Sequence, residues 1–335
     1  MWAVRKYFPG AYLALLNDQH AGSNYLPALR TLPDQGLFDE FVAYTADLEG
    51  VPFWKTLGLI PHMRRRRFDT LVYLAPRFRT GRQIWRDLTF FRLCGITRFI
   101  GHKGMTNFDK LAREKPLPYL DREADHLLSR LGRSGIPVPP PGQGCMDLLL
   151  TEAEMAMAGN WLTSHIDLNE GKILIGMGVG SKYPAKVWPR ERFVEVGRHI
   201  IEQLGGTPII FGGPEDRELG NSFINEWRAG ANAAGELTVR EAAAALSFCR
   251  LYVGNDSGPM HLAATVGTRC VGIFAARDFP GCWHPYGSHH VVLRKTVDCE
   301  GCMLSDCVKY DMACIKLINV KDVTRACDKV LNNTA

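Results

Sequence analysis

The sequence predicts an α/β fold with two domains, each built on a doubly wound parallel sheet. The chain has 335 residues, more than the ~250–300 at which a single hydrophobic core stops growing. Short apolar runs typical of strands alternate with helical patterns in both halves, and this alternation implies parallel strands. Glycine-rich turns follow several predicted strands, at the strand ends where open α/β sheets bind ligands.

The N-terminal half begins with the tail of a helix and a turn at Pro9 and Gly10. A domain of this class normally opens with a strand and its ligand-binding turn, so we expect the chain to begin inside the first helix. The arginine run at 64–67 is interpreted as a solvated helix end. Apolar patterns predict strands at 11–16, 38–44, 68–74 and 93–101, with helices at 53–60 and 122–131.

A stretch rich in proline and glycine, 135–144, is the clearest linker in the chain. Such composition is typical of a connection between domains. We therefore expect a first domain at 1–150 and a second at 151–335.

The second domain alternates strongly between strand and helix patterns. Two capping boxes, Thr151 with Glu154 and Thr238 with Glu241, predict where two helices begin. The first of these helices is expected to run through His165. The other predicted strands lie at 172–177, 207–211, 251–253 and 270–274, and the other helices at 189–204, 242–248, 260–266 and 320–331.

The most informative stretch is a strand, a polar turn and a helix around Gly254–Gly258. Asp256 or Ser257 is expected to cap the helix, and Gly267 is expected to end it in a left-handed conformation. The first helical turn offers backbone N–H groups and the positive end of the helix dipole, and His261 lies within that turn. This combination predicts a phosphate site. The alternative is an ordinary β-α-β unit whose glycines only make turns.

The same stretch resembles a known family. Residues 256–264, DSGPMHLAA, are similar to the D-[ST]-G-x-x-H-L-A-A signature of the heptosyltransferase family, glycosyltransferase family 9. Residues 186–189 resemble its K-x-W-P pattern, and residues 211–216 its F-G-G-P-x-[DE] pattern. The resemblance covers about 171–331, and the first domain only by its strand pattern.

The resemblance implies a GT-B architecture, in which two Rossmann-like domains face each other across a cleft. It also implies transfer of a sugar, a heptose or a related one, from a nucleotide diphosphate to a lipopolysaccharide-type or other saccharide acceptor. The implied partners are a nucleotide sugar and an anionic glycolipid or saccharide, not nucleic acid, and catalysis needs no cofactor.

Three loops follow different strand ends in the second domain and are expected to meet on one rim of the sheet. By the resemblance, Lys186 binds the donor diphosphate and His261 a phosphate oxygen. For Asp216, capping of the helix that follows is an equally supported alternative to donor binding. The implied donor-binding residues are Ser181, Lys186, Glu215, Asp216, Asp256, Ser257, Gly258 and His261.

The catalytic base is harder to place. Family members open with a strand and a Gly-Asp loop whose aspartate is the base, and we expect this chain to lack both. In a competing alignment that aspartate falls on Ala21. Asp18 and His20 are the candidate bases near this loop. The alternative functions are therefore a nucleotide-sugar-binding homologue without full catalytic competence and a nucleotide-sugar epimerase of the same fold.

Charge is distributed unevenly along the chain. The net charge is +5, with 21 Lys and Arg against 14 Asp and Glu in residues 1–150, and 19 against 21 in the remainder. This favours an acidic partner for the first half: a phosphorylated acceptor, an anionic membrane surface or nucleic acid. Arg79, Arg82 and Arg86 would share one face of a helix, and arginine binds phosphates bidentately. They are the candidate acceptor-binding residues.

Ten cysteines in a chain of this length indicate free thiols or a metal site rather than a disulfide framework. Four of them lie in the segment 299–314 and begin with a C-x2-C pair: Cys299, Cys302, Cys307 and Cys314. They are candidate ligands of a closed structural zinc site, and free or paired thiols are the alternative.

The chain has no run of about 18 apolar residues, so we expect no transmembrane helix. The first nine residues are too short and too charged for a secretory signal. A cytoplasmic protein is expected, with peripheral contact at the inner face of the membrane as a further hypothesis.

Overall fold

The computed structural model describes residues 1–19, 28–33, 36–45, 57–167 and 172–332. The chain divides into two compact units. The first comprises Met1–Arg113 and Asp121–Cys145, and the second comprises Glu114–Leu120 and Met146–Ala335. Within the described ranges, no helix is long and apolar enough to cross a membrane.

The first unit contains two pairs of parallel strands in its described residues. One pair is β1 (Ala14–Gln19) with β2 (Glu40–Thr45), and the other is β3 (Thr70–Val72) with β4 (Arg98–Ile100). All four strands were predicted, and each begins two to five residues later than expected. The predicted helix at 53–60 lies largely outside the described residues. The helices are α1 (Trp2–Tyr7), α2 (Leu59–Arg65), α3 (Gly81–Leu93), α4 (Phe108–Leu111) and α5 (Glu123–Gly132).

A buried arginine holds the ends of β3 and β4 together. Arg130, on α5, is 1% exposed and donates three hydrogen bonds of 2.6–2.7 Å, to the carbonyl oxygens of Gly101, Ala75 and Tyr73. These carbonyls lie just beyond the strands, where no ladder bond satisfies them. The guanidinium therefore replaces backbone pairing that the short strands lack.

The arginine run before β3 is more than a solvated helix end. Arg66 ion-pairs with Glu40 at the start of β2, with an N–O distance of 2.5 Å. Arg64, Arg65 and Arg67 are exposed, as a solvated helix end predicts, while Arg66 is partly buried beside this carboxylate.

The second unit is a six-stranded, fully parallel sheet. Its strand order is β10-β9-β8-β5-β6-β7, which confirms the predicted doubly wound topology. The strands are β5 (Ile173–Gly178), β6 (Gly206–Ile210), β7 (Ala231–Asn232), β8 (Leu251–Asn255), β9 (Cys270–Phe274) and β10 (Val291–Arg294). The helices are α6 (Glu152–His165), α7 (Arg190–Glu202), α8 (Arg217–Trp227), α9 (Val239–Ser247), α10 (Gly258–Thr265), α11 (Ala313–Lys316) and α12 (Val320–Asn332).

The strand order places a topological switch between β5 and β8. From β5 the chain runs outward through β6 to β7, returns to β8 on the other side of β5, and continues outward through β9 to β10. In open parallel sheets the helices on either side of such a point diverge and leave a crevice at the carboxyl ends of the strands. The fold thus defines where this unit can bind a ligand.

Both faces of this sheet are buried. Alternate residues of β8 enter different apolar clusters: Tyr252 packs on one face, and Leu251 and Val253 on the other. Trp188 is 0% exposed and packs edge-on against Phe193 of α7. Continuous apolar strands are the expected consequence of helices covering both faces.

Both predicted capping boxes are present. The Thr151 hydroxyl accepts from the backbone N–H of Glu154, and the Glu154 carboxylate accepts from the N–H of Thr151. Glu154 also forms an ion pair with Arg240 at an N–O distance of 2.5 Å. The Arg240 hydrogen bond, more than the capping bonds, lowers the pKa of Glu154 to about 2.

We expect Glu154→Gln to destabilise the protein by roughly 1–3 kcal/mol at pH 7. A carboxylate with a lowered pKa contributes stability above its ordinary pKa of about 4.3 and loses it as the pH falls toward the folded value. The difference from wild type should therefore shrink below about pH 4.3 in urea denaturation curves. The matched control is Glu241→Gln, because Glu241 fills the same capping position and the described residues show no ion pair to it. If the free energies of unfolding of Glu154→Gln and wild type differed as much at pH 3 as at pH 7, the stabilising role assigned to the Glu154 carboxylate would be wrong.

Candidate functional site

The switch-point crevice is bordered by glycines on both central strands. Gly178 ends β5 and pairs in register with Gly254 of β8. A Cβ atom on Gly178 would lie 1.7 Å from the Tyr252 hydroxyl oxygen, and one on Gly254 would lie 2.5 Å from the carbonyl oxygen of Gly178. The close approach of these groups requires glycine at both positions.

The helix that follows β8 begins without a side-chain cap. Ser257 is the N-cap residue in extended conformation, and neither its hydroxyl nor the Asp256 carboxylate accepts from the first-turn N–H groups. Ser257 therefore occupies the predicted N-cap position but makes no side-chain capping bond, and Gly267 has the predicted left-handed conformation with φ of +84°. Because no side chain caps α10, its positive end is available to an anion.

Asp256 instead binds a lysine from another loop. Its carboxylate accepts from Lys186 Nζ at 2.6 Å, and it is 6% exposed. The His261 Nε2 atom lies 3.7 Å from the other carboxylate oxygen, and the imidazole is 42% exposed. Lys186 Nζ also lies 3.4 Å from Asp278. The predicted residues Lys186, Asp256 and His261 are thus brought together beside the start of α10.

Lys186 and the two carboxylates beside it are largely buried. Burial raises the pKa of Asp256, but the neighbouring His261 ring and the Lys186 ammonium lower it by more, so the net pKa lies below its ordinary value. An ammonium has three N–H donors, and both carboxylates lie within 4 Å of the one on Lys186. A phosphate arriving at α10 could therefore engage both the free helix N-terminus and this lysine.

The loops after β5 and β8 are locked together by an asparagine that sequence reasoning did not single out. Asn255 is 0% exposed. Its amide donates to the carbonyl of Val179 at 2.8 Å, and its amide oxygen accepts from the backbone N–H of Trp188 at 3.0 Å. The bonds hold the two ends of the loop that carries Lys186 against the end of β8. In the sequence, the only indication of this role is that Asn255 lies between a buried strand and the acidic motif.

The loop after β6 meets the same edge. The Asp216 carboxylate folds back to accept from the N–H of Gly213 at 3.2 Å, and a Cβ on Gly180 would meet it at 1.9 Å. Burial raises the pKa of Asp216. This bond lies in the turn Pro214–Asp216, and although Asp216 stands at the N-cap position of α8, its side chain accepts no capping bond from that helix, whereas Glu215 is exposed. Ser181 remains within its own loop, where its hydroxyl accepts from the N–H of Tyr183 at 3.4 Å.

Two charged residues that the sequence reading did not select complete the network. Arg277 and Asp278 follow the carboxyl end of β9 and form an ion pair with an N–O distance of 2.8 Å. The rule that identified the other loops, polar residues after a parallel strand, applies equally to this one. Arg277 and Asp278 were not predicted as site residues because they lie outside the motifs that identified the other loops.

The three candidate acceptor-binding arginines do not lie on one helix. The Thr80–Gln83 capping box starts α3 at Gly81, so Arg79 precedes it. Arg79 and Arg86 nevertheless converge on Asp87, at N–O distances of 3.6 and 2.9 Å. Arg82 and Arg86 line an open groove of about 570 Å³ on α3 together with Gln83, Trp85 and Thr89. Trp85 is 69% exposed.

The candidate bases are only partly described. Asp18 lies in β1, where it pairs in register with Tyr44, but its side chain is not among those described. His20 and Ala21 fall outside the described residues.

The structure does not support the predicted zinc site. Across the described ranges, no group of three or more His, Cys, Asp or Glu side chains is arranged to hold a metal ion. The four candidate cysteines, all in described ranges, form no disulfide. Burial raises the pKa of Cys299 and Cys314. The four candidates Cys299, Cys302, Cys307 and Cys314 instead line one cavity of about 10 Å³.

Sequence comparison identifies relatives mainly through the second unit. The profile of glycosyltransferase family 9 (heptosyltransferase) matches residues 141–312, half of the chain. The lipopolysaccharide heptosyltransferase 2 of Escherichia coli is 26% identical over 228 residues, which cover 63% of this chain and 61% of that protein. The chain spans less than two thirds of the length of the curated relatives it matches.

Structural comparison extends over the whole chain. A glycosyl transferase family 9 protein from Veillonella parvula has a TM-score of 0.71 at 23% identity, covering 99% of this chain and 92% of that one. The E. coli ADP-heptose lipopolysaccharide heptosyltransferase II has a TM-score of 0.63 at 19% identity, covering 99% and 93%. The predicted α/β fold of the GT-B class is thereby confirmed.

The geometry around Lys186 generates a stability prediction. We expect Asp256→Asn to destabilise the protein by roughly 1–3 kcal/mol at pH 7, because a buried ammonium loses its nearest charged partner. The lowered pKa of Asp256 means that this contribution is present above its ordinary pKa of about 4 and is lost as the pH falls through the folded value. Urea denaturation followed by circular dichroism should show the two proteins converging in acid. Glu215→Gln, at an exposed carboxylate of the same rim, is the control expected to change nothing.

Proposed function

Because the chain belongs to glycosyltransferase family 9, we propose that it transfers a heptose or related sugar from a nucleoside diphosphate donor to a saccharide acceptor of the lipopolysaccharide type. The observation that carries the proposal is the uncapped start of α10 beside Lys186, at the switch point of a parallel sheet. Such a site suits a diphosphate because it combines oriented N–H groups with the positive charge of an ammonium.

In this proposal the donor diphosphate lies against the backbone of Ser257 and Gly258. Lys186 and His261 approach it with N–H donors, because both side chains already lie at that end of α10. Asp256 acts differently from the direct ligand that the sequence suggested. Its carboxylate would be repelled by a phosphate, so its role is to orient Lys186 and His261.

The same groups supply the electrostatic part of catalysis. As the sugar leaves, negative charge develops on the nucleoside diphosphate. Helix N–H groups and Lys186 are fixed before the reaction, so they stabilise that charge without reorganisation. Exposed Glu215 is our candidate acceptor of ribose hydroxyl bonds, because Asp216 is occupied by Gly213. Ser181 remains a candidate donor to the diphosphate from the same rim.

Transfer also needs a base that takes the proton of the acceptor hydroxyl. We retain Asp18 and His20 as the candidates, from the position of β1 in the first unit. If neither acts as a base, donor binding without transfer is the expected behaviour, as in the alternative function of a nucleotide-sugar-binding homologue.

The acceptor is proposed to bind at the groove on α3. Arg82 and Arg86 present two guanidinium groups there, and the exposed Trp85 ring lies between them in the sequence. Guanidinium groups bind phosphate substituents bidentately, and an aromatic ring offers an apolar surface to a sugar. This combination fits a phosphorylated saccharide.

The central experiment is a transfer assay with ADP-heptose, the donor in the name of the E. coli structural relative, and a phosphorylated lipopolysaccharide core as acceptor. Acceptor-dependent release of ADP supports transfer. Binding of ADP without any release would leave the binding homologue as the correct function, and failure to bind any nucleoside diphosphate would overturn both.

We expect Lys186→Ala and His261→Ala each to weaken ADP binding about 10- to 100-fold, since each removes a charge-assisted hydrogen bond worth roughly 1.5–3 kcal/mol. Isothermal titration calorimetry measures the affinity. Lys316→Ala is the matched control, because Lys316 pairs with exposed Asp311 away from this edge. Unchanged ADP affinity in both variants would refute the donor site.

For the acceptor groove, we expect the pair of changes Arg82→Gln and Arg86→Gln to raise the acceptor KM about 10-fold or more, from the loss of charge-assisted bonds. The dissociation constant for ADP should not change, because these arginines belong to the first unit. Steady-state kinetics with varied acceptor is the measurement, and Arg113→Gln, at an exposed position of the same unit, is the control. A loss of ADP affinity in the Arg82→Gln, Arg86→Gln protein would contradict the assignment of these two arginines to the acceptor.

A further inference from the structure

We propose that Arg277 is a positioning residue for the donor site, which keeps the carboxylate of Asp278 from competing with the donor diphosphate for Lys186. The inference rests on the proposed function, because it assigns Arg277 a role in donor binding. It also gives the cysteine-rich segment 299–314 a role, as the scaffold that fixes Arg277.

The guanidinium of Arg277 is fully engaged. Its side chain is 8% exposed. Nε donates to the carbonyl of Leu304 at 2.6 Å and Nη2 to that of Met303 at 2.8 Å, while Nη1 donates to Asp278 at 2.8 Å. Each of the three nitrogens of the planar guanidinium makes one of these bonds, which fixes the orientation of the whole group.

The segment that carries these carbonyls is itself bound to both neighbouring loops. The N–H of Met303 donates to the carbonyl of Arg277 at 3.1 Å, and the N–H of Ala185, next to Lys186, donates to the carbonyl of Ser305 at 3.1 Å. Arg277 also lies over the Tyr183 ring, 4.8 Å from its centroid. The segment therefore holds Arg277 and the Lys186 loop in one fixed arrangement.

Asp278 is the link between Arg277 and the lysine. Its Oδ2 atom accepts from Arg277 and lies 3.4 Å from Lys186 Nζ, while Asp256 lies at 2.6 Å from the same Nζ. Two carboxylates against one ammonium leave an excess of negative charge, which would repel a diphosphate. Arg277 balances that excess, and its bond to Oδ2 limits how far Asp278 can turn toward Lys186.

This arrangement predicts opposite effects for two adjacent substitutions. Arg277→Gln leaves Asp278 unbalanced, so ADP should bind about 10-fold more weakly. Asp278→Asn removes the competing charge, so ADP should bind about 3- to 10-fold more tightly. Both effects should fall below about twofold in the Lys186→Ala background, because the three residues act through one another.

Calorimetry with ADP on the full chain measures each affinity, with Tm recorded separately. Arg192→Gln is the matched control: Arg192 also donates to two backbone carbonyls, those of Lys316 and Ile318. The Arg192→Gln protein should lose stability without losing ADP affinity.

Weaker ADP binding by both Arg277→Gln and Asp278→Asn would mean that Arg277 is merely structural. The same conclusion would follow if either change had its full effect on ADP affinity in the Lys186→Ala background. If Arg277→Gln does not fold, tighter binding by Asp278→Asn supports the proposal and weaker or unchanged binding overturns it. If wild type binds ADP and responds to Lys186→Ala while these variants do not differ, the proposed function stands and this inference fails.

Discussion

A buried ion pair between Lys186 and Asp256 is the interaction on which the candidate site depends. It joins a loop after β5 to the turn after β8, at the point where the chain reverses direction across the sheet. Buried ion pairs are weak sources of stability, because desolvation offsets most of their attraction. Breaking one by removing a partner is nevertheless costly. The pair therefore specifies one arrangement of the two loops more than it strengthens the fold.

The consequence is a site whose charges are balanced before any ligand arrives. Lys186 and Arg277 face Asp256 and Asp278, so the four ionised groups sum to zero. The attraction for an anion then comes from the uncapped helix and from the Lys186 ammonium beside it. A balanced network of this kind can be buried at low cost and still change partners when a phosphate replaces a carboxylate around Lys186.

Sequence reasoning found the parts of the fold that depend on local patterns. Four of the six strands of the second unit (β5, β6, β8 and β9), both capping boxes and Gly267 follow from periodicity and backbone conformation, which neighbouring residues determine, whereas β7 and β10 were not predicted. It located Lys186 and His261 through motifs, but it could not show that Asp256 turns away from α10 toward a lysine 70 positions earlier. Arg277 escaped notice for the same reason: its partners, Met303 and Leu304, are backbone groups and leave no trace in residue identity.

In the first unit the four described strands were predicted, but the buried arginine beside two of them was not. β3 and β4 have only 3 residues each, and Arg130 supplies the pairing that longer strands would make. A single buried arginine gives no periodic signal. Arg79 was misplaced because Thr80 and Gln83 form a capping box that starts the helix after it, although its side chain still reaches Asp87.

The segment Glu114–Leu120 has a consequence for how the chain can be divided. It belongs to the second unit although it lies within the sequence of the first. Glu300, 4% exposed, accepts there from the N–H of Leu117, and Leu120 donates to the carbonyl of Pro280. A fragment cut at the proline-rich linker would leave a buried carboxylate without its backbone donor. The second unit is thus assembled from two separate pieces of chain, and it is not an independent cassette.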